Sequence, residues 1–188
     1  MTHALPWHMP KTIALVGLMG AGKSSIGRRL AQALGLPFVD ADSEIESAAG
    51  SSIEEIFARD GEAVFRNGER RVIARLLDSP AQVLATGGGA FMDPETRGLI
   101  RERAVSIWLR ADLDTLLVRV ARRNNRPLLK AGDPRAVLSR LIDERYPVYA
   151  EADITVDTVD GPPETTLAKV IAALDHFLAV PAQIGAGL

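Results

Sequence analysis

The octapeptide Gly17-Leu18-Met19-Gly20-Ala21-Gly22-Lys23-Ser24 constrains this chain more than any other stretch, because of what flanks it. Lys11 to Val16 ahead of it reads as a short buried strand, and Ile26, Leu30, Ala33 and Leu34 behind it recur at the helical period. A strand that passes through a glycine-rich turn into a helix points backbone N–H groups inward at the helix N-terminus, where phosphate oxygens bind. The spacing is that of G-x-x-x-x-G-K-[ST], in which Lys23 reaches the outer phosphates and the Ser24 hydroxyl ligates Mg²⁺. A dinucleotide-binding turn is the other candidate, but Gly20-x-Gly22-x-x-Ser25 lacks the third glycine and carries Lys-Ser where that fold needs neither. The reading is a nucleoside triphosphate site held by Gly20, Ala21, Gly22, Lys23, Ser24 and Ser25.

The first helix has a clear stop, since Gly35 can take the left-handed cap conformation and Pro37 cannot continue the helical ladder. Phe38-Val39 starts a second strand, Val83 to Ala85 is a third, Val105 to Leu109 a fourth and Ile154 to Val156 a fifth. Ser52 with Glu55 forms a capping box that opens a further helix. After Pro162 and Pro163, Leu167, Val170, Ile171, Leu174 and Leu178 line one face of a last helix. Strands alternating with helices imply a parallel sheet covered on both faces, an α/β fold. With 188 residues, one domain over 11–178 is expected, with tails at 1–10 and 179–188.

Composition narrows the partners. Lys and Arg total 22 against 24 Asp and Glu, and a net charge of -2 gives no general reason to bind nucleic acid or an anionic membrane. The chain has no cysteine, which excludes a disulfide framework, a thiolate zinc site and a cysteine nucleophile. His3, His8 and His176 have no metal-ligand spacing. Met1 to Pro10 lacks the basic start and apolar run of a secretory signal, and no stretch reaches the roughly 20 apolar residues of a membrane helix. A soluble protein in a reducing compartment fits these features.

The phosphate loop leaves the reaction open, because motors, switches and small-molecule kinases share it. Motors and switches usually place an Asp at the end of a second apolar strand, whereas Val83-Leu84-Ala85 runs into Thr86-Gly87-Gly88-Gly89. Asp40 and Asp42 lie just past the second strand, two residues apart, so one can face a metal and the other a bound hydroxyl compound. Ser43-x-x-Glu46 offers a plainer alternative, with Asp42 or Ser43 serving as a helix cap.

Taken in order, the motifs resemble those of the shikimate kinase family, in the structural group of nucleoside monophosphate kinases. They are the loop with Met19 inside it, Asp40-Ala41-Asp42, Phe65-Arg66 with Glu69, the triple glycine, Arg126-Pro127-Leu128-Leu129, Arg145 ahead of Tyr149, and Val156-Asp157-Thr158 followed by prolines. The resemblance covers about residues 11–178. It implies a three-layer P-loop kinase fold with a five-stranded parallel sheet and a mobile lid at about 122–134.

The resemblance also implies the chemistry: MgATP phosphorylates the 3-hydroxyl of shikimate, giving ADP and shikimate 3-phosphate, in the cytoplasm of a cell that makes its own aromatic amino acids. Asp40 then belongs with Ser24 on the Mg²⁺ side, through water, and Asp42 holds acceptor hydroxyls and takes the proton of the attacking one. Arg66 and Arg145 capture the carboxylate, Glu69 orients Arg66, and the backbone of Gly87, Gly88 and Gly89 approaches the substrate. Arg126 closes over the transferring phosphoryl group, Arg119 stacks on adenine, and the loop from Asp157 to Pro162 lines the other side of the base. Lys23, Asp42 and Arg126 are the catalytic set in this reading, and a monomer is expected. Arg122 and Arg123 read as solvated charge and Trp108 as core. The competing readings are a gluconate-type kinase and a non-catalytic ATP-binding module.

Overall fold

Thr12–Val16 (β1) is buried at every position, as a strand covered on both faces requires. In the computed structural model, which describes residues 11–122 and 132–179, β1 is the middle of a five-stranded sheet. Phe38–Asp40 (β2), Val83–Ala85 (β3), Ala104–Arg110 (β4) and Ile154–Asp157 (β5) complete it in the order β2-β3-β1-β4-β5, every pairing parallel. Each expected strand is present; the fourth is one residue longer at each end than its apolar run.

Successive side chains of a strand face opposite ways, and the core divides accordingly. Ile13, Leu15, Val83, Ile107 and Leu109 pack with helices Lys23–Leu34 (α1) and Pro163–Ala179 (α7). Ala14, Val16, Leu84 and Trp108 pack on the other face with Ile53–Leu77 (α3), Pro94–Arg103 (α4), Leu113–Ala121 (α5) and Pro134–Tyr149 (α6). A smaller cluster of Ile45, Ile56 and Phe65 joins α3 to Ala41–Ala49 (α2). Trp108 is core as expected, 3% exposed and edge-on to Tyr146 at 4.8 Å.

Caps set most helix boundaries. Gly35 ends α1 in the left-handed region, and the Ser52/Glu55 capping box opens α3 with both of its hydrogen bonds formed. Gly61 breaks α3 with φ 83°, ψ 173°, a kink that the apolar pattern does not announce. α2 corrects the capping alternative: neither Asp42 nor Ser43 is its N-cap, because Asp40 accepts from both of their amides. Arg122 is the C-cap of α5 and Pro134 the first residue of α6, so both ends of the expected lid are helix termini. Residues 123–131, with Arg126, and most of both tails lie outside the described residues.

Candidate active site

All five strands run the same way, so their C-terminal ends share one edge of the sheet. β1 lies between β3 and β4, where the chain order reverses, and in open parallel sheets that crevice is where ligands bind. The register places Asp40 beside Ala85, and Ala85 beside Leu15, so the loop after β1, the start of α2 and the triple glycine after β3 meet there. Thr86 fastens the junction, donating both its amide and its hydroxyl to the Leu15 carbonyl, at 3.1 and 2.9 Å.

The loop after β1 depends on its glycines. Gly17, Gly20 and Gly22 have φ of 146°, 82° and 97°, and a Cβ on Gly17 would sit 2.8 Å from the Leu109 carbonyl oxygen. Gly22 caps α1 with no side-chain hydrogen bond and no acidic residue occupies the first turn, so the helix N-terminus keeps its donors and positive potential for a ligand. Lys23 Nζ donates to the carbonyls of Gly17 and Leu18 at 2.7 and 3.0 Å, which folds the ammonium back over the loop. Ser24 Oγ donates to Asp40 Oδ2 at 2.8 Å. That hydroxyl–carboxylate pair fits Mg²⁺, which binds through one or two protein oxygens together with phosphate oxygens and water. No cluster of three or more acidic, His or Cys side chains suited to a metal occurs among the described residues.

Gly87, Gly88 and Gly89 have no left-handed φ, so the reason for glycine here is space. A Cβ on Gly87 would lie 2.8 Å from Asp42 Oδ1 and 3.0 Å from Glu69 Oε1; on Gly88, 3.3 Å from Arg145 Nη1; on Gly89, 2.4 Å from Arg66 Nη2. The expected acceptor-site residues are therefore gathered over three glycines. The same Gly88 position lies 3.8 Å from Met19 N and 3.9 Å from Gly17 O, so the cluster abuts the phosphate loop. Arg66 Nη1 donates to Glu69 Oε2 at 2.7 Å, as the helix spacing suggested.

The depth of Glu69 is not legible in the sequence. It is 2% exposed, and burial pushes its pKa above the usual carboxylate value; the Arg66 hydrogen bond and charge pull the other way, and Asp42 and Asp93 add to the rise. The buried carboxylate is thus partnered by the Arg66 guanidinium. Arg70, one residue on, forks onto Asp93 at 3.0 and 3.1 Å, fastening α3 to the N-terminus of α4.

On the nucleotide side, Arg119 Nη1 donates to the carbonyls of Gly20 and Ala21 at 3.3 and 3.2 Å, and Nη2 to the Val159 carbonyl. It thus ties the phosphate loop to the segment after β5 where Pro162 lies exposed. Arg110 and Asp157 pair at the ends of β4 and β5, and Arg122 pairs with Asp160. Arg122 is solvent-exposed as expected, but its partner belongs to the loop expected beside the base.

Comparison with known proteins agrees with this geometry. The shikimate kinase family model matches residues 19–175. A shikimate kinase of Paramagnetospirillum magneticum is 61% identical over 168 residues, 89% of this chain and 86% of that protein. One of Caulobacter vibrioides is 62% identical over 164 residues, 87% and 82% of the two chains. Among solved structures, shikimate kinase from Acinetobacter baumannii in complex with shikimate superposes with a TM-score of 0.84 at 38% identity, covering 88% of this chain and 93% of its own. The fold, the loop on β1 and the match along most of the chain lead to one conclusion: this protein belongs to the shikimate kinase family.

Proposed function

We propose that this protein transfers the γ-phosphoryl group of ATP to the 3-hydroxyl of shikimate, giving ADP and shikimate 3-phosphate. The observation that carries the reading is the packing of Asp42, Glu69, Arg66 and Arg145 over Gly87 to Gly89, directly against the phosphate loop. Shikimate is a ring carboxylate with several hydroxyls, and such a molecule needs guanidinium groups at one end and hydrogen-bond acceptors at the other.

Gly20, Ala21, Gly22, Lys23, Ser24 and Ser25 hold the phosphates, by backbone N–H groups, by the Lys23 ammonium and by the Ser24 hydroxyl. Lys23 exchanges the Gly17 and Leu18 carbonyls for phosphate oxygens when nucleotide arrives. Ser24, and Asp40 through water, would hold Mg²⁺, which when bound would neutralise charge on the phosphate oxygens. Arg119 and Pro162 flank the base. On the acceptor side Arg66 and Arg145 pair with the carboxylate, Gly87 to Gly89 let the ring approach the backbone, and Asp42 accepts the hydroxyl proton as the oxygen attacks in line. Arg126, outside the described residues, covers the transferring phosphoryl group in this reading. The work is done as a monomer in the cytoplasm; no helix among the described residues is long and apolar enough to cross a membrane.

The test is a coupled ADP-release assay with MgATP against shikimate, gluconate and no acceptor, on the wild type and Arg66→Ala. ADP release that depends on shikimate and drops by at least about tenfold in kcat/KM for the variant is the expected result. Release without acceptor, or a preference for gluconate, would overturn the acceptor assignment.

A further inference from the structure

Arg145 needs a fixed direction if it is to meet a carboxylate, and no carboxylate among the described residues pairs with it as Glu69 pairs with Arg66. The side chain that meets it is Tyr149, four residues on and on the same face of α6. Tyr149 is 1% exposed, and its ring packs against Phe91, Trp108 and Tyr146 at centroid distances of 6.4, 5.9 and 6.2 Å. Its O–H donates to the Gly88 carbonyl oxygen, and the Arg145 guanidinium lies beside the phenol. A Cβ on Gly88 would in turn lie 3.3 Å from Arg145 Nη1, so phenol, guanidinium and glycine backbone form one closed set.

We propose that Tyr149 is a positioning residue for acceptor binding, its hydroxyl, fixed on the Gly88 carbonyl, turning the Arg145 guanidinium toward the acid end of the acceptor. This rests on the assignment of Arg145 to the acceptor carboxylate. The ring is anchored in the core among three other aromatic rings, so the hydroxyl has one place to be, whereas a free arginine samples many rotamers and loses them on binding. Burial pushes the phenol pKa above its ordinary value and the nearby Arg145 and Arg66 pull it back, so at neutral pH the hydroxyl remains protonated and can donate.

Calorimetric titration of full-length wild type, Tyr149→Phe, Arg145→Ala and the double variant tests this, using shikimate, ADP and a shikimate analogue whose carboxylate is replaced by hydroxymethyl. Tyr149→Phe keeps the ring contacts and removes only the hydroxyl. Its Kd for shikimate should rise roughly tenfold, with Kd for ADP and for the analogue within about twofold of wild type, and it should add almost nothing in the Arg145→Ala background. Tyr146→Phe is the matched control, because its hydroxyl donates to the Ala111 carbonyl in the same aromatic cluster. Equal losses of shikimate affinity in both tyrosine variants, or a Tyr149→Phe effect that persists without Arg145, would reduce Tyr149 to core packing and overturn the proposal. Unchanged shikimate affinity in Tyr149→Phe while Arg145→Ala loses it would overturn the positioning role alone. Unchanged affinity in Arg145→Ala would remove the carboxylate assignment and this inference with it.

Discussion

A methyl group at position 89 has no room, because the Arg66 guanidinium already occupies it, with Nη2, Nη1 and Cζ at 2.4, 2.6 and 2.7 Å from the Cβ position. Gly89→Ala must therefore displace the Arg66 guanidinium. The expected outcome is a rise of at least about tenfold in KM for shikimate with KM for ATP little changed, read by steady-state kinetics. At the phosphate loop, Lys23→Ala removes the ammonium assigned to the phosphates in the proposed reaction. Its kcat should fall by about 10²-fold or more while the circular dichroism spectrum stays that of the wild type. The two residues differ in legibility. Lys23 is announced by its motif, whereas the reason for Gly89 is a guanidinium from α3, remote in sequence and adjacent only in the fold. Gly27 is similar: a Cβ there would meet the Phe38 ring at 2.6 Å, a contact between α1 and β2 that no local pattern signals.

At the scale of elements, α3 and α4 show how the acceptor side is braced. Asp93 caps α4, accepting from the Thr96 amide at 2.8 Å and from its hydroxyl at 2.9 Å, while Arg70 of α3 forks onto both of its oxygens. Burial alone would raise the Asp93 carboxyl, but the Thr96 and Arg70 hydrogen bonds outweigh it and hold the pKa below the usual value. A folded-state pKa below the unfolded one gives stability that is present above the unfolded pKa and lost as pH falls through the folded one. Asp93→Ala should thus cost about 1–2 kcal/mol near neutral pH, measured by urea unfolding. The gap to the wild type should narrow once pH drops below about 4, where the carboxylate begins to protonate in the unfolded chain. Capping residues and the strand–helix alternation were readable locally, because cap and period are short-range properties. The α3 kink at Gly61 was not, nor was Asp40 as the cap of α2, because Ser43-x-x-Glu46 offers the same pattern three residues later.

For the molecule as a whole, the two ligand sites draw on different elements. In the proposed assignment the nucleotide side uses β1, α1, α5 and the segment after β5, and the acceptor side uses α2, α3 and α6 with the glycines after β3. Each ligand should therefore stabilise the native state by itself, by about 2.7 kcal/mol at 100 times its Kd, or a Tm shift of about 5–10 °C for a chain of this size. Arg66→Ala should lose the shikimate shift and keep the ADP shift in a thermal melt, which also separates damage to the acceptor site from global unfolding. What the sequence by itself determined is the phosphate-loop motif, the order of the strands along the chain and the helix caps at Gly35 and Ser52. These follow from spacing, period and functional groups within a few turns of chain. Only the tertiary structure decided which strand lies in the middle, which glycines give way to which side chains, how deeply Glu69 is buried and what Tyr149 touches. Those facts depend on parallel strand pairing and helix packing between segments far apart in the chain, where burial and close approach are properties of neighbours that local sequence does not name.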